Sequence, residues 1–183
     1  MRSEKEKMLA GELYCPEDEE LVKERNSVRN LIFELNHTRP AEKELREEIL
    51  KQLIVAKGSF HIEVPFNCDY GYNIEVGENF YANYGCIILD VNKVSIGKNV
   101  LLAPNVQIYT ASHPVDPEER LTGKEFAKPI SIGDNTWIGG GTIICPGVRI
   151  GNNVTIGAGS VVTKDIPDNS VAVGNPCRVK RMI

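Results

Sequence analysis

The chain has 183 residues, of which 42% are hydrophobic and 25% charged, and its formal net charge is −4. This composition suits one folded domain, and no stretch approaches the roughly 18 consecutive apolar residues of a membrane span. Mild acidity without a basic stripe speaks against nucleic acid as the main partner. The cysteines form no Cys-x-x-Cys pair, which predicts neither a zinc knuckle nor a disulfide framework. The start, rich in Lys and Glu, does not resemble a signal peptide, and we expect a cytoplasmic protein.

The first 57 residues are dense in charge and carry apolar residues at helical spacing. Two series follow this spacing, one on each side of Pro40: Leu21, Val28, Ile32 and Leu35, then Leu45, Ile49 and Leu53. The residue before a proline avoids the helical region, so the helical pattern breaks there. The spacing predicts two amphipathic helices joined at residues 37–40, within an N-terminal helical segment over residues 1–57.

Charge density falls near Gly58, and within the second part, residues 58–183, the period changes to six from residue 76. The longest uninterrupted series of aliphatic residues at this period is Ile132, Ile138, Ile144, Ile150, Ile156 and Val162. Glycine often follows the aliphatic residue directly, and a small or β-branched residue often stands four positions after it. A period of six fits neither a helix nor an alternating hairpin, but it fits a short strand and a turn repeated as in hexapeptide β-helices. We therefore predict a mainly β solenoid with the aliphatic side chains in a narrow core and the glycines at tight corners.

Residues 110–129 interrupt the repeat with a loop that a solenoid does not need. It is rich in proline and charge, and it contains the run Ser112-His113-Pro114. Long loops inside compact domains are usually functional or disordered, which makes this loop a candidate site. A basic tail over residues 174–183 is a second irregular feature, suited to binding phosphate or simply solvated.

Several short stretches resemble a known family. They span nearly the whole chain: Glu4–Leu13, Cys68–Asn73, Asn79–Asn83, Leu89–Val91, Leu102–Asn105, Ile108–Pro114, Trp137–Gly139, Val162–Asp165 and Gly174–Pro176. The family is that of the hexapeptide-repeat sugar O-acetyltransferases, with the maltose type nearest and the galactoside type next. The resemblance implies a left-handed parallel β-helix with an N-terminal helical part and a protruding loop. It also implies a homotrimer that binds acetyl-CoA between neighbouring coils and shares each active site between two subunits.

Acetyl transfer to a sugar hydroxyl needs a general base, because a hydroxyl is a poor nucleophile near neutral pH. Of the three His in the chain, only His113 lies in the loop that interrupts the repeat. The residues alone leave His113 as either structural or catalytic, and the resemblance implies that it is the general base. Glu125 either orients His113, as carboxylates often do for an imidazole, or is a solvated loop charge.

The thioester and the oxyanion formed from it need hydrogen-bond donors. The resemblance implies that Asn83 contacts the acetyl group and that the backbone N–H of Gly140 faces the thioester. The alternative for Asn83 is an amide ladder along the coils, and the alternative for Gly140 is a glycine that only turns a corner.

For the acceptor, the resemblance implies sugar contacts at Asp69 and Tyr81 and, from the helical segment, at Arg25. The pair Asp90-Val91 matches the maltose type, whereas the galactoside type carries a second Asp at the Val91 position. This departure places Asp90 among the substrate-binding candidates and favours a glucose or maltose acceptor over a galactoside. Exposed charges are usually solvent contacts, which is the plain alternative for Arg25.

For acetyl-CoA, the residues that match family contacts lie late in the chain: Ala158, Thr163, Lys164, Arg178 and Arg181. Trp137, the single Trp, follows an inward position of the repeat and is therefore expected to point outward. It would contact either the ligand cleft or a neighbouring subunit.

Three other functions compete with this hypothesis. A γ-type carbonic anhydrase needs three His ligands for its zinc, and the solenoid offers one, so we expect no metal. A non-catalytic β-helical scaffold would leave the His113 loop and the basic tail without a purpose. Other hexapeptide acetyltransferases acetylate galactosides, serine or xenobiotics, and against the latter two stands the N-terminal stretch Met8–Leu13.

Overall fold

The structure, a computed structural model, describes residues 2–183. Its helices are α1 (Glu4–Ala10), α2 (Glu19–Asn36), α3 (Lys43–Leu53) and α4 (Pro117–Arg120). Its strands are β1 (Val55–Ala56), β2 (Phe60–Ile62), β3 (Asn67–Cys68), β4 (Ile74–Val76), β5 (Phe80–Ala82), β6 (Ile87–Leu89), β7 (Val94–Ile96), β8 (Leu101–Leu102), β9 (Gln107–Tyr109), β10 (Ala111–Ser112), β11 (Phe126–Ala127), β12 (Ile130–Ile132), β13 (Trp137–Ile138), β14 (Ile143–Ile144), β15 (Arg149–Ile150), β16 (Thr155–Ile156), β17 (Val161–Val162), β18 (Ser170–Val173) and β19 (Arg178–Met182). In this described part, none of the helices has the length and apolar character needed to cross a membrane.

The strands form a parallel solenoid with three faces, because successive short strands join three sheets in turn. Sheet A has the order β1-β4-β7-β12-β15, sheet B the order β2-β5-β8-β13-β16-β18-β19, and sheet C the order β3-β6-β9-β14-β17. Within these three sheets the pairing is parallel, apart from the last strand, β19, which runs antiparallel to β18, and β10 and β11 form a separate antiparallel pair. The solenoid predicted from the period of six is confirmed.

The core is a stack of the aliphatic residues that recur at the sixth position. In sheet A, Ile132 pairs in register with Ile96 on one side and Ile150 on the other, and all three are buried. The following glycine is required because neighbouring coils approach closely. A Cβ on Gly133 would lie 2.6 Å from the carbonyl carbon of Gly151, which no side chain tolerates.

The sharp corner itself falls two residues after the glycine and is occupied by asparagine. Asn135 has φ 56°, a left-handed conformation that Asn adopts more readily than most residues. Its amide oxygen accepts from Asn99 at 2.9 Å and its amide nitrogen donates to Asn153 at 3.0 Å. The amide ladder considered for Asn83 therefore exists, but it runs along this other corner.

The helical segment covers the open first coil of the solenoid. Buried residues of α2 and α3, such as Ile32 and Leu53, belong to the same hydrophobic core as Ile62 and Phe66. The Asn36 amide locks this junction, donating to the Phe66 carbonyl and accepting from its N–H, each at 2.9 Å. The inward apolar face of each of these two helices is therefore removed from water by the solenoid.

Two details of the helical segment differ from the sequence prediction. A short helix, α1, precedes the two predicted ones and has one buried residue, Met8, too few to produce an apolar period. Leu45, expected on the buried face of α3, is 43% exposed, whereas Leu50 is buried. The helix therefore presents a slightly rotated face, since only its last two turns reach the core.

Candidate active site

The loop over residues 110–129 returns on itself as a short antiparallel hairpin of β10 and β11. Ala111 pairs with Ala127 and Ser112 with Phe126, so the next residues outward, His113 and Glu125, lie side by side. The Nε2 atom of His113 is 3.9 Å from the Oε1 atom of Glu125. This distance exceeds a hydrogen bond but keeps the carboxylate next to the imidazole.

The chain before α2 adds a third strand-like element to this hairpin. Tyr14 and Glu125 form an antiparallel bridge, with backbone hydrogen bonds of 3.0 and 3.1 Å. The Tyr14 hydroxyl also donates to the Oε2 atom of Glu125 at 3.0 Å. Burial, reinforced by the neighbouring Glu125 charge, raises the pKa of Tyr14 far above its ordinary value, so the phenol stays protonated as a donor.

These elements enclose a polar cavity of about 320 Å³ between the N-terminal segment and the solenoid. It brings together predicted residues from the helix, the coils and the loop: Arg25, Asp69, His113 and Glu125. Its lining also includes residues that the sequence prediction missed: Tyr14, Arg29 and Tyr70. Arg29 was detectable, since it stands one helical turn after Arg25, and Tyr70 follows Asp69 directly. Nothing in the sequence pairs Tyr14 with a loop 111 residues away.

Arg25 is held in place by neutral oxygen atoms. Its guanidinium donates to the Tyr70 hydroxyl at 2.8 Å and to the Pro16 carbonyl at 2.6 Å, while the Glu17 carboxylate is 3.9 Å away. Nearby, burial raises the pKa of Asp69, and the Arg25 charge opposes that rise only in part. The cavity therefore combines fixed cationic donors with a desolvated carboxyl group.

Asp90 does not line this cavity, which differs from the prediction of a direct substrate contact. It is fully buried, and its Oδ1 atom accepts from the N–H groups of Asp69 at 3.0 Å and Tyr70 at 2.9 Å. Its Oδ2 atom accepts from the Asn73 N–H at 3.3 Å. Burial raises the pKa of Asp90 to about 6 despite these hydrogen bonds. Asp90 thus holds the turn that presents Asp69.

Other predicted residues lie at a different corner of the same chain. Asn83 follows β5 and Gly140 follows β13, so both occupy the corner between sheets B and C. His113 leaves the solenoid at the next corner, between sheets C and A. The Asn83 side chain accepts from the Tyr84 N–H at 2.8 Å. One chain therefore does not bring Asn83 and Gly140 to His113, because sheet C separates them.

The outward faces of sheet B carry the two predicted aromatic residues. Tyr81 and Trp137 stand in the same row, on either side of Leu101. Trp137 points outward and is 52% exposed, as expected from its place in the repeat, while Tyr81 stacks on His61 with ring centroids 5.7 Å apart.

The predicted acetyl-CoA residues are all exposed but are spread over the solenoid. Ala158 shares the Asn83 corner, whereas Thr163 and Lys164 share the His113 corner. Arg178 and Arg181 lie on β19 at the end of sheet B. Within residues 2–183, no group of three or more His, Cys, Asp or Glu side chains could hold a metal ion.

Comparison with known proteins gives two family matches in this chain. The maltose acetyltransferase hexapeptide capping motif matches residues 7–58, and the bacterial transferase hexapeptide of six repeats matches residues 129–164. The galactoside O-acetyltransferase of Escherichia coli K12 is 47% identical over 179 residues, covering 97% of this chain and 88% of that protein.

Solved structures match the whole fold. The maltose O-acetyltransferase from Clostridium difficile 630 is 60% identical, with a TM-score of 0.97 over 100% of this chain and 98% of that chain. A hexapeptide-repeat acetyltransferase from Vibrio cholerae O1 biovar eltor, complexed with acetyl coenzyme A, is 34% identical, with a TM-score of 0.91 over 99% of this chain and 98% of that one. The fold is the left-handed β-helix that the family resemblance implied, and its solenoid form is the one predicted from the hexads.

Proposed function

The chain belongs to the hexapeptide-repeat acetyltransferase family of the maltose and galactoside O-acetyltransferases, and on this premise we propose that it acetylates a hydroxyl of a small sugar of glucose or maltose type. The observation that carries the proposal is the polar cavity in which His113 and Glu125 face Arg25 and Asp69. A histidine base beside hydrogen-bonding groups is the arrangement that transfer to a hydroxyl requires.

His113 is the proposed general base. Acetyl-CoA, when bound, supplies the acetyl group as a thioester whose thiolate leaves. The imidazole takes the proton of the acceptor hydroxyl, a contribution of roughly 10²–10⁴ in rate for a positioned His. The Glu125 carboxylate, 3.9 Å from the ring nitrogen, orients the imidazole in this proposal.

The cavity suits a neutral ligand rich in hydroxyl groups. A hydroxyl can both donate and accept, so it can pair with the Arg25 and Arg29 guanidinium groups and with the Asp69 carboxyl group. Burial makes each unmade hydrogen bond costly, which selects for a ligand that satisfies several of them. In this proposal Asp90 acts indirectly, by fixing the turn that presents Asp69.

The spread of the remaining residues supports a homotrimeric working form. Asn83, Gly140 and Ala158 occupy one corner of the solenoid, whereas His113 and Lys164 occupy another. Residues on different corners can share a ligand only if a second copy sets its Asn83 corner against the His113 corner of the first. Acetyl-CoA would then lie between coils of two subunits, with Ala158 and Thr163 near its pantetheine arm and Lys164, Arg178 and Arg181 near its phosphates. Trp137 would line the cleft or a subunit contact, and Tyr81 would contact the sugar.

The test of the base is His113→Ala, assayed by release of free thiol from acetyl-CoA. We expect kcat to fall by at least about 10²-fold while the oligomer and the unfolding temperature are kept. His37→Ala is the matched control, because His37 is an exposed helix cap whose ring contacts the carbonyl and the ring of Phe33 and lies outside the cavity. Activity of His113→Ala within a few-fold of the wild type would refute the assignment.

The acceptor class is tested with a panel of glucose, maltose, a galactoside, serine and a primary amine. We expect thiol release with glucose or maltose, and weaker release with the galactoside. Release with serine or the amine alone would contradict the proposed sugar acceptor while leaving the acetyltransferase family unaffected.

A further inference from the structure

The hairpin that carries His113 is completed by a residue from the N-terminal segment. Tyr14 pairs with Glu125 through two backbone hydrogen bonds and one side-chain hydrogen bond. Glu125 therefore has its backbone and one carboxylate oxygen tied to the N-terminal segment, while its other oxygen faces His113.

We propose that Tyr14 is a positioning residue that holds the Glu125 carboxylate against the His113 imidazole. This inference rests on the proposed function, since it assigns a role relative to the general base. The N-terminal segment then helps to position the general base His113, in addition to packing on the first coil.

The geometry of the carboxylate supports this role. The terminal torsion of a glutamate rotates broadly when nothing holds it. Here the Tyr14 hydroxyl occupies Oε2 at 3.0 Å, which leaves Oε1 directed at Nε2 of His113 at 3.9 Å. A modest movement on substrate binding closes that distance to a hydrogen bond, as often happens at catalytic contacts that are loose in the free enzyme.

The anchor is rigid because Tyr14 is deeply buried. Its side chain is 1% exposed and packs in a small cluster with residues from separate parts of the chain: Met8, Leu21, Tyr70, Val91 and Ala127. A buried phenol needs a hydrogen-bond partner. The hydroxyl of the neighbouring Tyr70 accepts a hydrogen bond from Arg25 and none from Tyr14. Each side of the cavity therefore has its own tyrosine, Tyr70 bonded to Arg25 and Tyr14 bonded to Glu125.

The backbone around Tyr14 is fixed as well. Gly11, which ends α1 with φ 74°, passes so close to the loop that a Cβ there would lie 3.0 Å from the Ala127 carbonyl oxygen. The Asn92 amide donates to the carbonyl oxygens of Met8 and Leu9, each at 3.2 Å. The solenoid and its loop therefore hold the backbone just before the tyrosine.

A purely structural role for Tyr14 makes a different prediction, and a double-mutant cycle separates the two. We expect Tyr14→Phe, which keeps the ring and removes the hydroxyl, to lower kcat by about tenfold with an unchanged KM for acetyl-CoA. In the Glu125→Ala background, where the carboxylate is gone, the same change should cost less than about twofold. Tyr72→Phe is the matched control, because its hydroxyl also donates to a glutamate, Glu24, at 2.7 Å.

Two results would overturn the inference: an unchanged kcat in Tyr14→Phe, or an equal loss in both backgrounds. A second readout needs no acceptor. The proton resonance of the His113 ring, assigned by its absence in His113→Ala, should move in Tyr14→Phe and stay in Tyr72→Phe. An unmoved resonance contradicts the positioning role. A wild type that acetylates no sugar refutes the proposed function instead, while the resonance still decides the role of Tyr14.

Discussion

The solenoid and the junction between the N-terminal segment and the His113 loop are built on opposite principles. In the solenoid each coil repeats the last, so Ile96, Ile132 and Ile150 stack in register within one core. In the junction nothing repeats, and the cluster around Tyr14 gathers residues that are far apart in sequence. The repeat supplies a rigid frame, and the proposed acceptor site forms where the repeat is interrupted.

The difference extends to how each region uses polar groups. Along the coils, side-chain amides such as Asn135 bond to copies of themselves, so the polar network only extends the stack. At the junction, unlike groups meet: Arg25 with Tyr70, Tyr14 with Glu125, and Asp90 with a turn of backbone N–H groups. Only unlike groups create a site with both donors and acceptors, which binding of a particular ligand requires.

The largest effect on the free energy of unfolding is expected in the core of the solenoid. Ile144→Ala removes a fully buried residue that stacks between Ile108 and Val162, and we expect it to lower the free energy of unfolding by about 4 kcal/mol. Urea unfolding measures the change, with Val115→Ala at the 92% exposed loop position as a control of less than about 0.5 kcal/mol. A small loss in Ile144→Ala would mean that the coils are not one packed stack.

A smaller effect, dependent on pH, is expected at the junction. Because burial raises the pKa of Asp90 to about 6 from the ordinary 3.8, the folded chain keeps a proton that the unfolded chain has released between these values. The free energy of unfolding therefore falls as pH rises through this window. Asp90→Asn cannot titrate, so from pH 3 to 7 the wild type should lose about 3 kcal/mol relative to the variant.

Urea unfolding at several pH values measures this difference. Asp168→Asn is the control, because Asp168 also accepts a backbone N–H, from Asn152 at 2.8 Å, but is exposed to solvent. If the free energy of unfolding depended on pH in the same way in the wild type and in Asp90→Asn, burial would not raise the pKa of Asp90. We also expect a raised KM for the acceptor in Asp90→Asn, since an amide cannot accept at both of its terminal atoms.

The smallest effect is expected at a corner of the repeat. Asn135→Ala removes the amide hydrogen bonds of the ladder and leaves alanine, which disfavours positive φ, at φ 56°. Asn135→Gly removes the same hydrogen bonds, but glycine adopts this φ without strain. We expect the Ala variant to be less stable than the Gly variant by about 1 kcal/mol. Equal stability of the two variants, measured by thermal unfolding, would show that the corner tolerates any residue and that the ladder alone matters.

Much of the fold was predictable because each coil of the solenoid is specified by a pattern of neighbouring residues. The period of six placed Ile138 and Ile144 inside and Trp137 outside, and the structure agrees at each. The His113 loop was also identifiable, as the one long interruption of the repeat. The helix α1 and the hairpin of β10 and β11 were not predicted, because each is too short to produce a period and each forms against a distant partner.

The period of six is enough to specify the solenoid, since one aliphatic residue in every six dictates strand, turn and stacking without reference to distant parts of the chain. Tertiary structure alone decided the chemistry of the junction. Asp90, predicted to contact the substrate, is buried and accepts backbone N–H groups, while Tyr14, which carried no signal in the sequence, donates to Glu125. The physical reason is that desolvation and hydrogen-bond partners are set by whichever segments meet in space, and only folding brings residues 111 positions apart to within 3.0 Å.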